Sequence, residues 1–68
     1  MDQETFNLSI RKFLKMVGVN SQREIEQAIG NAVASGKLRG DESVPARVTL
    51  EIPSLGVKVP FDGDIKLK

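Results

Sequence analysis

An α+β domain is predicted for this 68-residue chain, with two N-terminal helices packed on one face of a C-terminal three-stranded antiparallel meander. Three observations predict it. Apolar residues recur at helical spacing as far as Val33. They alternate at a period of two from Val48 onward. The polar stretch Arg39–Pro45 separates the two regimes. No repeat, low-complexity run or long linker divides the chain, so residues 1–68 read as one small domain.

The first helix is expected over residues 3–17. Asp2 is placed to cap it, Glu4 adds negative charge to its first turn, and Phe6, Ile10, Phe13, Leu14 and Val17 form its apolar stripe. Gly18 is expected to end it, with Val19 and Asn20 as a short joint. The second helix, residues 22–35, then starts at a capping box made by Ser21 and Glu24. Its buried face is Ile25, Ala28, Ile29, Ala32 and Val33, and Gly36 supplies a left-handed stop. So short a joint implies a packed helical pair, antiparallel or steeply crossed.

Pro45 biases Val44 towards extended backbone and marks the change of secondary structure. Strands are expected at 46–52, 56–61 and 64–67, each apolar on one face. An even-length loop around Pro53–Gly56 sets Ile52, Leu50 and Val48 opposite either Leu55, Val57 and Val59 or Val57, Val59 and Phe61, and both registers keep the apolar residues on one face. A three-residue Asp62–Asp64 loop, with Gly63 left-handed, would pair Phe61 with Ile65 and Val59 with Leu67. Pro60 conflicts with this scheme, because the middle strand of a meander is hydrogen-bonded on both sides and proline has no amide proton.

Composition narrows the function. The chain has no Cys and no His, which removes disulfides, thiolates and the commonest metal ligand. Ten basic residues against nine acidic ones do not give the strong positive charge usual in a nucleic-acid binder, and Phe is the only aromatic type. No apolar run approaches membrane-spanning length, and the acidic, polar opening MDQETFNL is unlike a secretory signal, so a cytoplasmic location is expected. So small a chain gains little from its own core, which makes a homodimer an attractive expectation.

Four constellations stand out. Leu8, Arg11, Lys12 and Lys15 share a helix face away from the apolar stripe, and suit either a docking patch or an ordinary solvated face. The free amides at the start of the second helix could hold an anion, but Ser21 and Glu24 compete for them. Gln22, Arg23, Gln27 and Asn31 could contact nucleic acid from the second helix, with the hairpin as a wing. Against that, Glu24 stands where a helix-turn-helix places an apolar residue. Asp62 and Asp64 are too few for a calcium site and are ordinary turn residues. No nucleophile–base pair, phosphate loop, metal motif or cofactor motif is found, so no catalytic residue is assigned.

The runs Phe6–Lys15, Val17–Val19, Ser21–Glu26, Ala34–Leu38 and Val48–Leu50 resemble a family of short, uncharacterised bacterial proteins. The resemblance covers nearly the whole chain and implies a bacterial, stand-alone small domain. It brings no activity, ligand or site residue. The expectation is therefore a small non-enzymatic interaction or structural module with a protein partner, and the alternative is nucleic-acid binding.

Overall fold

The computed structural model describes all residues, 1–68, and resolves them into two units, Met1–Lys37 and Leu38–Lys68. The first is a single helix, α1, spanning Gln3–Ala34. The second is a two-stranded antiparallel hairpin, β1 Ser43–Ile52 and β2 Val57–Lys66, joined by a short 3-10 turn at Pro53–Leu55. Two expectations are thereby corrected. There is one helix in place of two, and a hairpin in place of a three-stranded meander.

The ends of α1 are those expected. The Asp2 carboxylate accepts from the amides of Glu4 at 3.0 Å and Thr5 at 3.5 Å, and from the Thr5 hydroxyl at 2.8 Å. At the other end Gly36, at φ 81°, donates its amide to the Val33 carbonyl at 3.1 Å, closing a left-handed stop. The middle is where the expectation fails. Gly18 keeps a negative φ and sits inside the helix, and so does the Ser21–Glu24 pair. A glycine costs about 1 kcal/mol against alanine but does not terminate a helix that is otherwise supported.

The support is a stripe that never loses phase. Phe6, Ile10, Phe13, Val17, Ser21, Ile25, Ala28 and Ala32 follow one another by steps of three or four. Val17, Ser21 and Ile25 carry it across the supposed joint. Two separate helices would have no need to stay in register there. The mean step, about 3.7 residues, exceeds the 3.6 of the helix, so the stripe winds slowly around α1 in the right-handed sense.

The hairpin register sorts the side chains completely. Val44, Ala46, Val48, Leu50 and Ile52 stand opposite Ile65, Gly63, Phe61, Val59 and Val57. The other face pairs Ser43, Pro45, Arg47, Thr49 and Glu51 with Lys66, Asp64, Asp62, Pro60 and Lys58. The expected loop at Pro53–Gly56 is borne out, and of the two registers left open the structure adopts the one that pairs Val48, Leu50 and Ile52 with Phe61, Val59 and Val57. The expected third strand is the far end of β2. Asp62–Gly63–Asp64 is no turn, and Gly63 has no positive φ. Alternation runs unbroken through Phe61, Gly63, Ile65 and Leu67, and β1 extends back to Ser43 to pair with it.

Pro60 is explained by the same register. The Leu67 amide donates to the Glu42 carbonyl at 3.0 Å, which makes that pair, and every second pair along the ladder, a hydrogen-bonded one. Pro45 and Pro60 both fall in the intervening, non-hydrogen-bonded pairs, where the missing amide proton would point away from the partner strand. In a two-stranded hairpin both strands are edges, so no ladder bond is lost.

No residue in the chain is buried. Phe13 is 48% exposed on α1 and Phe61 59% exposed on the hairpin. The continuous helix makes a direct prediction. A Cβ on Gly18 would meet nothing within 4 Å, as on Gly30. Gly18→Ala and Gly30→Ala should each stabilise α1, by up to about 1 kcal/mol, in thermal unfolding followed by circular dichroism. Destabilisation by Gly18→Ala alone would show that Gly18 ends a helix.

Candidate interaction surface

The residues singled out by sequence fall on different parts of α1. At 3.6 residues per turn, Leu8, Arg11, Lys12 and Lys15 gather on one side of the helix, roughly opposite Phe6, Ile10, Phe13 and Val17. All four are exposed, Leu8 by 54%. A shallow groove, open to solvent, runs beside Thr5, Leu8, Ser9 and Lys12. The structure thus brings the proposed docking patch together as a leucine ringed by cations, with no acidic side chain bridged to any of them.

The nucleic-acid candidates are less well gathered. Arg23, Gln27 and Asn31 follow at four-residue spacing along one side of α1, and Gln22 lies about 100° away. All four are exposed. The turn that would set one helix across another does not exist, because residues 18–21 are helical. The expected helix-turn-helix, with the hairpin as a wing, is therefore not formed. The anion site at the start of a second helix goes with it, since the amides after Ser21 lie inside α1 and not at a helix end.

Asp62 and Asp64 lie on the polar face of the hairpin. Asp62 receives the Arg47 Nε at 2.6 Å, and Glu51 faces Lys58 at 3.9 Å, two cross-strand pairs in direct register. Both are well exposed and contribute little, ~0–1 kcal/mol each. No group of three or more acidic side chains comes together.

One polar feature escaped the sequence reading. The Glu42 carboxylate accepts from three successive amides, Arg39 at 2.9 Å, Gly40 at 2.9 Å and Asp41 at 3.2 Å. Gly40, at φ 101°, lets those N–H groups converge into a small anion-binding concavity, which the chain fills with its own carboxylate. The signal available was a glycine two positions before an acidic residue in a polar loop, which is too common to single out.

A family model described as "Family of unknown function (DUF6494)" matches residues 1–68. The chain belongs to DUF6494. The resemblance to a family of short uncharacterised proteins is borne out at that level. No curated protein and no solved structure matches this DUF6494 chain. No helix in it is long and apolar enough to cross a membrane.

Two carboxyl groups of this DUF6494 member are held below the usual carboxylate range. Asp2 is held there first by the Thr5 hydroxyl and then by the Thr5 and Glu4 amides. Glu42 is held there first by the Arg39 amide, which with the Gly40 and Asp41 amides outweighs the opposing effect of desolvation. A depressed folded-state value means that this stabilisation is present above the ordinary carboxylate range and is lost as pH falls through the depressed value. On acidification, the protection of the Arg39 and Gly40 amides, measured against the unstructured rate at each pH, should therefore be lost only below that ordinary range. Glu42→Gln should show that loss of protection already at neutral pH. Equal protection in the wild type and the variant at neutral pH would remove Glu42 from the loop's support.

Proposed function

We propose that this chain is a small non-enzymatic interaction module of the bacterial cytoplasm, meeting a protein partner through Leu8, Arg11, Lys12 and Lys15. The observation that carries the reading is an exposed leucine set among three cations on one helix face. Such a surface suits an apolar contact with an acidic rim, where the rim charges set approach rate and orientation and the leucine adds buried area. It needs no metal and no cofactor. The protein reading is preferred over nucleic acid because the row Arg23, Gln27 and Asn31 carries a single positive charge and Gln22 stands apart from it.

The test uses a photo-reactive side chain placed at Ser9, beside the patch, in the producing cell. One specific protein adduct is expected, and the combined Arg11→Glu, Lys12→Glu and Lys15→Glu chain should lose it with helicity unchanged. An adduct that persists unaltered in that triple variant would take the patch out of consideration, and fractionation of the same cells locates the adduct. Titration of the chain with mixed-sequence DNA and RNA at low salt should show no binding. Affinity that falls steeply with salt and vanishes on Arg23→Ala would replace the protein reading with a nucleic-acid one.

A further inference from the structure

We infer that the cationic side of α1 receives a short acidic helix of another protein, held between Leu8 and Val19 with its carboxylates over Arg11, Lys12 and Lys15. The inference rests on the function proposed above and names the chemistry of the partner. All five side chains belong to α1, so their arrangement is set by that helix alone.

Val19 extends the patch at its far end. It stands four residues after Lys15, and it follows Leu8 by about three helical turns, roughly 16 Å along the axis. Leu8 and Val19 therefore close the two ends of one face, with the three cations between them.

That face carries charge the helix does not compensate. Lys15 is four residues from Arg11 and three from Lys12, the spacings at which like charges on a helix repel. None of the three has an Asp or Glu three or four residues away in either direction. The helix dipole gives no support, because Lys15 lies about five turns before Ala34 and the favourable field is confined to the last turn. On the hairpin, by contrast, Arg47 faces Asp62 and Lys58 faces Glu51. A partner that supplies carboxylates to Arg11, Lys12 and Lys15 relieves a repulsion built into α1.

Charge also selects the occupant. The polar face of the hairpin sets Arg47, Lys58 and Lys66 against Glu51, Asp62 and Asp64, so it is neutral, and the apolar face has no charge. Neither complements the patch. A second copy meeting this face about a two-fold axis would set the three cations against themselves. Nor does α1 gather carboxylates to offer another copy, since Glu24 and Glu26 are two residues apart and diverge.

The same face limits the occupant's length. Glu4 lies one turn before Leu8 and Glu26 about two turns after Val19, both on this side of α1. A nucleic-acid strand or an anionic membrane running along the helix would meet both carboxylates. A segment confined between them meets neither. The backbone of α1 is bonded within the helix and offers no ladder to an extended peptide, whereas a helical segment satisfies its own amides. The occupant is thus a helix with two apolar side chains about three turns apart and carboxylates between them.

The probe is a helical peptide of about 18 residues with leucines some three turns apart and glutamates between them, titrated into the full isotope-labelled chain at low salt. Saturable amide shifts are expected at Leu8, Arg11, Lys12, Lys15 and Val19, with affinity falling as salt is raised. The peptide with glutamine for glutamate should bind about tenfold more weakly. Val19→Ser, nearly neutral for helix propensity, should weaken binding by about fivefold. Lys15→Glu should melt no lower than the wild type, because it sets a carboxylate beside Arg11 and Lys12, yet it should lose the shifts. No shift at millimolar peptide, or equal binding of the glutamine peptide, would overturn the acidic helix. So would tighter binding of phosphatidylglycerol vesicles or DNA through the same cations. Unchanged affinity of Val19→Ser would overturn the grip between two apolar ends. A Ser9 adduct in cells beside a silent peptide titration would leave the protein-contact reading standing and remove only this occupant.

Discussion

The constraint on which this chain depends is the need to remove apolar side chains from water when neither unit can do so within itself. A helix has no interior for its side chains, and a two-stranded ribbon has two open faces. The chain nevertheless places Phe6, Phe13, Val48, Leu50 and Phe61 on sharply apolar faces, as if a core were available. Each such side chain contributes roughly 1.5–3 kcal/mol when fully covered. The hydrogen bonds and surface ion pairs described above are small beside that sum, so whatever covers these faces decides whether the chain holds its fold.

The hairpin shows how far a period of two can organise a segment. Every Val, Leu, Ile, Phe and Ala of β1 and β2 falls on one side of the ladder, and every charge on the other. The two interior prolines obey a second rule at the same time. Both belong to the non-hydrogen-bonded pairs, so Pro45 and Pro60 remove donors that the ladder does not use. They also leave the outer edges poorer in amides, which discourages other strands from adding there. Arg47 against Asp62 and Glu51 against Lys58 then favour this register over a slipped one, though weakly.

The helix separates two surfaces that are easily confused in a linear reading. Leu8 looks like one more apolar residue of the stripe, yet it lies on the far side with Arg11, Lys12 and Lys15. The stripe passes from Phe13 and Val17 through Ser21 to Ile25 by steps of four, drifting slowly around α1 as it crosses a glycine and a serine. Chain ends and loop corners are held by local carboxylates, Asp2 at the helix entry and Glu42 in the polar loop. Order there comes from converging amides rather than from packing.

The sequence by itself determined the periodic features: where α1 starts and stops, which residues of each element are apolar, and the Pro53–Gly56 loop, though not which of two registers it sets. Those follow from short-range geometry, that is a capping carboxylate, a left-handed glycine, and side chains recurring at 3.6 or at 2. It did not determine whether Gly18 breaks the helix or whether Asp62–Asp64 turns the strand. A glycine permits a turn in either place without demanding one. Only the structure decided these, and it did so by continuity. Val17, Ser21 and Ile25 stay on one face across the first glycine, and Ser43 to Arg47 provide a pairing partner for the strand beyond the second. A strand needs a neighbour for its backbone, and that neighbour lies about twenty residues away, out of reach of any local signal.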